Sequence, residues 1–362
     1  MTTLWFDCET YSEADLKAVG THAYADHRTT EITVAQWAVD EGEPVVEDCS
    51  EKLGPSKALR TWLTAPGVTV VAHNSMFDRT ILRHCWNIKV PVERWQDTMV
   101  RALAHGLPGS LDKLSGILNL SADEAKDKRG RELIQLFCKP RPKGHTLRRA
   151  TRETHPKEWA EFLEYSRQDI VSMRAVHRKL PAWNYGPGSP ELALWHLDQR
   201  INDRGFAVDL DLAHAAIDAV AIEQARLKEE TRELTDGQVT SPSKRDELLA
   251  HILMEYGVEL PDMRADTLRR RIEDPELPDP VKLLLSIRLE ATKTSTAKYK
   301  ALVKATSVDG RMRNTLQFCG ASRTGRWAGR IFQPQNLLRE TLTREEIDLG
   351  VELLKAGITG IV

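Results

Sequence analysis

The sequence has 362 residues, a formal net charge of −2, 41% hydrophobic and 29% charged residues, which suits a globular chain of two or three domains and not a disordered one. No apolar run reaches the ~20 residues of a membrane-spanning helix, and Met1-Thr-Thr-Leu-Trp-Phe-Asp7 lacks the basic-then-apolar order of a secretory leader. Five scattered cysteines without paired spacing exclude a disulfide frame and a thiolate zinc site, so a cytoplasmic protein with no membrane partner is expected.

In chain order, the first half alternates strand and helix signals. Leu4-Trp-Phe reads as a strand, as does Ile32–Val39 with its β-branched and aromatic content. Val68-Thr-Val-Val71, after Pro-Gly, reads as a short buried strand. The spacing then predicts a helix capped by Asn74 or Ser75, with Phe77, Ile81, Leu82 and Cys85 on one side. Another helix is predicted from about Lys157 to Leu180, ended by Pro181. Tyr185-Gly-Pro-Gly-Ser-Pro190 reads as a linker.

The second half carries no strand pattern until near its end. Leu210–Leu234 is a long helical pattern, with Asp209 or Asp211 as its cap. A shorter helix starts at Ser241-Pro-Ser, and a second long one is predicted from Pro280 to about Ala305. Together these predict an extended helical arm. From Gly310 a Gly- and Arg-rich stretch begins. Lys126–Arg152 holds ten Lys or Arg and two acids, and Ala291–Arg330 holds nine and one. Such stretches suit a polyanion held at defined places, although a charge run alone is more simply a solvated face.

Three segments aim carboxylates inward. On a strand through Leu4–Thr10, Asp7 and Glu9 share a face; Asp-x-Glu by itself is common and carries little. On the helix predicted over Lys157–Leu180, Trp159, Phe162, Ile170, Met173, Val176 and Leu180 form one stripe, with Asp169 near its middle and Tyr165 one turn earlier at its edge. An ionised Asp facing a core costs several kcal/mol, roughly, unless it is paired or binds a metal. A salt bridge to one of the many arginines is the plainer alternative. Asp78 falls inside the apolar arc of its own helix, near Ile81 and Cys85.

Asp7-x-Glu9, Asn74-x3-Asp78 and Tyr165-x3-Asp169, in this order, resemble the three motifs of DEDD-type 3′→5′ exonucleases of the tyrosine subclass. That group includes the proofreading domains of family A and B DNA polymerases, and ribonuclease D. The resemblance covers roughly residues 1–180 and implies an α/β, ribonuclease H-like domain with a mixed sheet flanked by helices. It implies two divalent cations, Mg²⁺ or Mn²⁺, which suit oxygen ligands. Asp7 would bridge them, Glu9 and Asp169 would complete the site of the attacking water, and Asp78 would hold the second ion, through water. Tyr165 would orient the water, and Asn74 and Phe77 would touch the frayed strand, with a core role the plainer reading of Phe77. His73, His84 and His105, lacking ligand spacing, read as structural or surface residues.

Ala321–Leu338 resembles the Thr-Gly-Arg…Pro-Asn-Leu-Gln-Asn segment of family A polymerases, which grips the primer–template. Arg323, Thr324, Arg326, Arg330, Gln333, Gln335 and Asn336 are its expected DNA contacts. Asp309-Gly-Arg-Met-Arg matches the usual lead-in, the long helices resemble the thumb, and the whole pattern resembles a phage-encoded, DNA polymerase I-like enzyme acting in the host cytoplasm. The expected layout is an exonuclease domain over 1–182, a linker over 183–190, an elongated helical thumb-like domain over 191–308 and the start of a palm over 309–362. The palm carboxylates and fingers helix are not present, so polymerisation would need a separate palm–fingers polypeptide or a longer chain. Expected partners are a single-stranded 3′ end and duplex DNA along the thumb. An exoribonuclease of the ribonuclease D type and a non-catalytic DNA-binding or assembly subunit are the competing readings.

Overall fold

In the computed structural model, which describes residues 2–121, 129–181, 185–292, 297–336 and 341–359, the first half is built on a five-stranded sheet. Its strands are β1 (Thr3–Tyr11), β2 (Glu31–Val39), β3 (Val45–Asp48), β4 (Thr69–Ala72) and β5 (Trp95–Asp97). Their order is β3-β2-β1-β4-β5. β1 runs antiparallel to β2 and parallel to β4, so the sheet is mixed. The helices beside it are α1 (Leu16–Asp26), α2 (Lys57–Thr64), α3 (Ser75–Cys85), α4 (Thr98–Ala104), α5 (Leu111–Ile117), α6 (Gly130–Phe137), α7 (Pro156–Lys179) and α8 (Pro190–Arg204). This is the expected ribonuclease H-like arrangement.

β1 is central, and its alternation sorts its residues between two layers. Leu4, Phe6 and Cys8 enter one core with Ile81, Leu82 and Trp95. Trp5 faces the other way, packing with Ala38, Val71, Ile170 and Met173 beneath α7. Each such side chain stabilises the fold by about 1.5–3 kcal/mol when fully buried. The α7 stripe is buried as its spacing predicts: Trp159, Phe162, Ile170, Met173 and Val176 are all at most 6% exposed.

The linker expected at 185–190 differs. Tyr185 is buried, and with Leu192, Trp195 and Phe318 it joins the core of the first half. Ser189 Oγ accepts from the Leu192 amide at 3.3 Å, which starts α8 at Pro190. The chain therefore divides into one compact unit of 1–208 with 304–335 and another of 209–303 with 336–362. Those packing boundaries are not the expected 182, 190 and 308, because apolar residues on both sides of the arm belong to the sheet's core. Short strand pairs complete the first unit: β6 (Phe206–Ala207) with β7 (Arg311–Met312), and β8 (Leu316–Gln317) with β9 (Ala328–Gly329).

The second unit is helical: α9 (Leu210–Leu234), α10 (Arg245–Tyr256), α11 (Ala265–Ile272), α12 (Asp279–Ala291), most of α13 (Ala297–Ala305) and α14 (Arg344–Lys355). Val239, Leu248, Ile252, Leu268, Val281 and Leu284 form its core. Asp209 caps α9 as expected, accepting from the Leu212 amide at 2.9 Å. The long helix predicted from Pro280 to Ala305 is represented by α12 and α13, and residues 293–296 between them lie outside the described residues. α14 was not anticipated, although its Thr343/Glu346 capping box is local. Among the described residues no helix is long and apolar enough to cross a membrane, and all five cysteines are free thiols.

Candidate active site

Asp7 and Glu9 follow Trp5 at alternate positions of β1, which directs them to the side of the sheet on which α7 packs. Asp169 lies on α7 within its buried stripe. One carboxylate oxygen each from Asp7, Glu9 and Asp169 lies within 4.8 Å of the other two. Three carboxylates this close repel one another unless a cation or protons intervene. An all-oxygen donor set of this kind suits Mg²⁺ or Mn²⁺ over softer metals.

Neighbours hold the cluster in place. Gln36, fully buried on β2 and in register with Asp7, donates its Nε2 to Asp7 Oδ2 at 2.5 Å. The Cys138 thiol donates to Glu9 Oε2 at 3.7 Å. Neither contact was foreseen. For Gln36 the available signal was an amide inside the otherwise apolar run Val34-Ala-Gln-Trp-Ala38. Burial, then the Glu9 carboxylate, pushes the Cys138 thiol well above the usual range, so it stays a thiol.

Asp78 lies outside the group of three. Its helix, α3, contributes to the core on the opposite face of β1, and Asp78 Oδ1 accepts from the Cys8 amide at 3.1 Å and from the Cys8 thiol at 3.4 Å. It is 1% exposed. Burial, then the charge of Asp7, raises its carboxyl well above the ordinary value. The two acids therefore feel each other, and Asp78 lies next to the cluster without sharing its oxygens.

Asn74 was read as a possible cap of α3. It does occupy the N-cap position, but in the left-handed region at φ 70° and with no side-chain capping bond. Asp97 does the capping from β5, accepting from the amides of Asn74 at 3.1 Å and Ser75 at 2.7 Å. Asn74 is left exposed.

Tyr165 is 3% exposed and lies one turn before Asp169 on α7. Burial, then the negative charge of Asp169, Glu9 and Asp7, drives its phenol far above the usual range, so it stays protonated. Its ring lies parallel to that of Phe162 with centroids 6.3 Å apart. Against its other edge runs the first turn of α6: a Cβ on Gly130 would stand 2.1 Å from Tyr165 Cε2. Beside Glu9 opens a cavity of about 400 Å³ lined by Tyr24, Phe77, Gln135 and Lys139 among others. Phe77 thus packs on the core and also walls this cavity. His73 is structural, bonded to Thr98 Oγ1 and the Gly109 carbonyl. His84 pairs with Asp26, and His105 contacts the Pro181 carbonyl.

The Gly- and Arg-rich string forms a tight turn between β8 and β9, closed by Ala321–Arg326 and Ala321–Gly325 backbone bonds. Arg323, Thr324 and Arg326 are exposed at its tip. Arg330 is exposed and bonded to Gln317 Oε1. Gln333 is half-buried and Gln335 exposed. The Asn336 carbonyl accepts from Lys298 Nζ at 2.9 Å within the second unit. Trp327 fixes the turn by donating its indole N–H to the buried Asp198 at 2.7 Å.

No family model matches the chain. A DNA polymerase of Bacillus phage SP02 is 36% identical over 360 residues, 99% of this chain and 54% of the phage protein, so the chain spans about half the length of that relative. Among solved structures, the POL domain of Pol1 from M. smegmatis, in complex with DNA primer-template and dNTP, superposes with a TM-score of 0.61 at 17% identity. That match covers 94% of this chain and 53% of the Pol1 chain. NrnC of Brucella melitensis gives a TM-score of 0.35 at 14% identity over 55% of this chain and 80% of its own. The chain is thus similar along nearly its whole length to part of the phage DNA polymerase, and it shares the fold of the corresponding part of the Pol1 POL domain.

Proposed function

We propose that this chain is the 3′→5′ exonuclease portion of a family A, DNA polymerase I-like enzyme, releasing nucleoside 5′-monophosphates from a DNA 3′ end in a proofreading role. The observation that carries this is the convergence of Asp7, Glu9 and Asp169 within 4.8 Å, with the buried Tyr165 one turn before Asp169 on α7. Asp7, Glu9 and Asp169 would hold the divalent cations, and Asp78 would act on a second ion from the adjoining position. Bound there, Mg²⁺ or Mn²⁺ would neutralise phosphate charge and make an attacking water more acidic.

The chain's own groups supply orientation. A phenol with an ordinary value near 10 holds its proton at neutral pH, so Tyr165 would direct a water or phosphate oxygen by donating a hydrogen bond and would not act as a base. Gln36 and Cys138 fix the carboxylates of Asp7 and Glu9. Phe77 and Asn74 would receive the terminal nucleotides. The exposed Arg323, Thr324, Arg326 and Arg330, with Gln333, Gln335 and Asn336, would grip duplex phosphates and sugars. The helices of 209–303 would act as a thumb, and the segment after residue 309 would contribute to a palm completed by further sequence or a separate polypeptide.

The test is release of monophosphates from 3′-labelled single-stranded DNA, primer–template DNA and RNA with Mg²⁺ or Mn²⁺. Asp7→Ala and Asp169→Ala should abolish release while circular dichroism stays unchanged. Full activity in either variant would refute the assignment, and preference for RNA would transfer it to an exoribonuclease.

A further inference from the structure

The basic stretch that the site leaves unused lies directly beside it. α6 and the segment after it present Arg131, Gln135 and Lys139 at four-residue spacing, so the two within the helix share one face. Gln135 and Lys139 line the cavity that opens at Glu9. Gln135 also walls a second cavity, of about 530 Å³, lined by Arg131, Glu132, Leu136, Arg141 and Pro142. One side chain thus joins the carboxylate cavity to a groove with two guanidinium groups and a single acid.

This arrangement is fixed to the site. The Cys138 thiol contacts Glu9, and the Cys138 carbonyl accepts from the Ser12 amide at 3.4 Å. Beyond it, residues 141–148 close as a loop, with the Arg141 amide bonded to the Arg148 carbonyl at 2.8 Å. Arg149 anchors the loop's end, its guanidinium 4.0 Å from the Tyr11 ring centroid and 2.5 Å from Glu31.

The arginines further along are already occupied. Arg148 meets Glu13, and Arg152 meets Asp48, Glu51 and Glu153. By contrast, among the described residues Arg131, Lys139, Arg141 and Lys143 have no carboxylate within ion-pair distance. Uncompensated cations clustered on one side of a carboxylate site suit an anion that reaches the site from that side.

We infer that Arg131, Lys139 and Arg141 form a track for the phosphodiester backbone of a single DNA strand whose 3′ end lies at the acidic cluster. The inference rests on the exonuclease reading for its occupant. The phosphates would pass from the Glu9 cavity over Gln135 and Lys139 into the groove between Arg131 and Arg141.

The experiment uses the whole chain with Arg131→Ala, Lys139→Ala and Arg141→Ala combined, and Arg152→Ala as a control of equal chemistry whose charge is already paired. Binding of a fluorescent single-stranded octanucleotide is followed by anisotropy in EDTA between low and moderate salt. The triple variant should bind on the order of tenfold more weakly at low salt. Its slope of log affinity on log salt should be shallower by about 2, from three contacts at ~0.7 each on single strands. The loss in KM should grow from a dinucleotide to an octanucleotide, and Arg152→Ala should keep the wild-type slope. An unchanged slope and KM in the triple variant, with the wild type degrading DNA, would overturn the track and leave the nuclease standing. A wild type that binds through these residues but releases no monophosphate would support the track and sink the nuclease.

Discussion

Gly130→Ala should lower both stability and exonuclease rate, although every local argument points the other way. Gly130 opens α6 without a positive φ, so alanine fits its backbone and would by propensity stabilise the helix by up to ~1 kcal/mol. The obstacle is space. The new Cβ would lie 2.1 Å from Tyr165 Cε2, 2.5 Å from Cζ and 2.8 Å from Cδ2. Ordinary carbon contacts are about 3.5–4.0 Å, so helix or ring must move by roughly 1–1.5 Å. The ring has little room, because the Phe162 ring lies parallel to it and Phe162 itself stacks on Phe137. Overpacking of this kind costs about 1–3 kcal/mol, and a ~1 Å displacement of an orienting group can cost on the order of 100-fold in rate. Urea unfolding and single-turnover hydrolysis would measure the two effects. In a Tyr165→Ala background the clash is gone, so the same substitution should become neutral or stabilising. A Gly130→Ala protein as stable and active as the wild type would refute the reasoning.

Gln36→Leu should leave the fold intact but weaken apparent Mg²⁺ affinity or activity by roughly 10–100-fold, because Asp7 loses a neighbour that fixes its carboxylate; a metal titration of activity reads it. Trp327→Phe removes a donor from Asp198, whose carboxyl is already raised to about 6 by burial. Leaving that oxygen unpaired should destabilise by about 1–3 kcal/mol. The indole donor favours the ionised carboxylate, so its loss raises that carboxyl further; the penalty is relieved as pH falls below about 6, and the deficit should be larger at pH 8 than at pH 5. His22 has the opposite sign: burial, then Arg83, Arg313, His84 and Arg79, depress it to about 2. Asp203 Oδ1, 3.9 Å away, does not outweigh them, since that carboxylate is shared with Arg79 and Arg83. The unfolded chain therefore takes up the proton first, and stability should fall by up to ~2 kcal/mol from pH 6.5 to pH 5. His22→Gln should flatten that slope in urea melts across the same range.

The parts of the site legible in the sequence were those written in a local period. Alternation along β1 put Asp7 and Glu9 together, and the α7 stripe put Asp169 and Tyr165 on a buried face. What depended on which layer a helix joins was not legible. Asp78 lies inside the apolar arc of α3 as read, but α3 packs on the Cys8 face of β1, so its carboxylate meets Cys8 and not the other three acids' shared point. The cap of α3 comes from Asp97, 22 residues beyond Ser75, while the adjacent Asn74 takes a left-handed turn. Tyr185, in a Gly-Pro-rich stretch, looks like linker until Trp195 and Phe318 arrive from distant segments to bury it. Gly130 shows the same limit: a glycine at a helix start gives no sign of the ring lying against it.

The central claim is that Asp7, Glu9 and Asp169 form a divalent cation site. Its most direct test is anomalous scattering from crystals of the protein grown with Mn²⁺ and a short single-stranded DNA. Manganese bound by oxygens of all three carboxylates, beside the terminal phosphodiester, is the result this account predicts. Manganese located elsewhere, or these carboxylates turned to basic side chains with no ion between them, would contradict it.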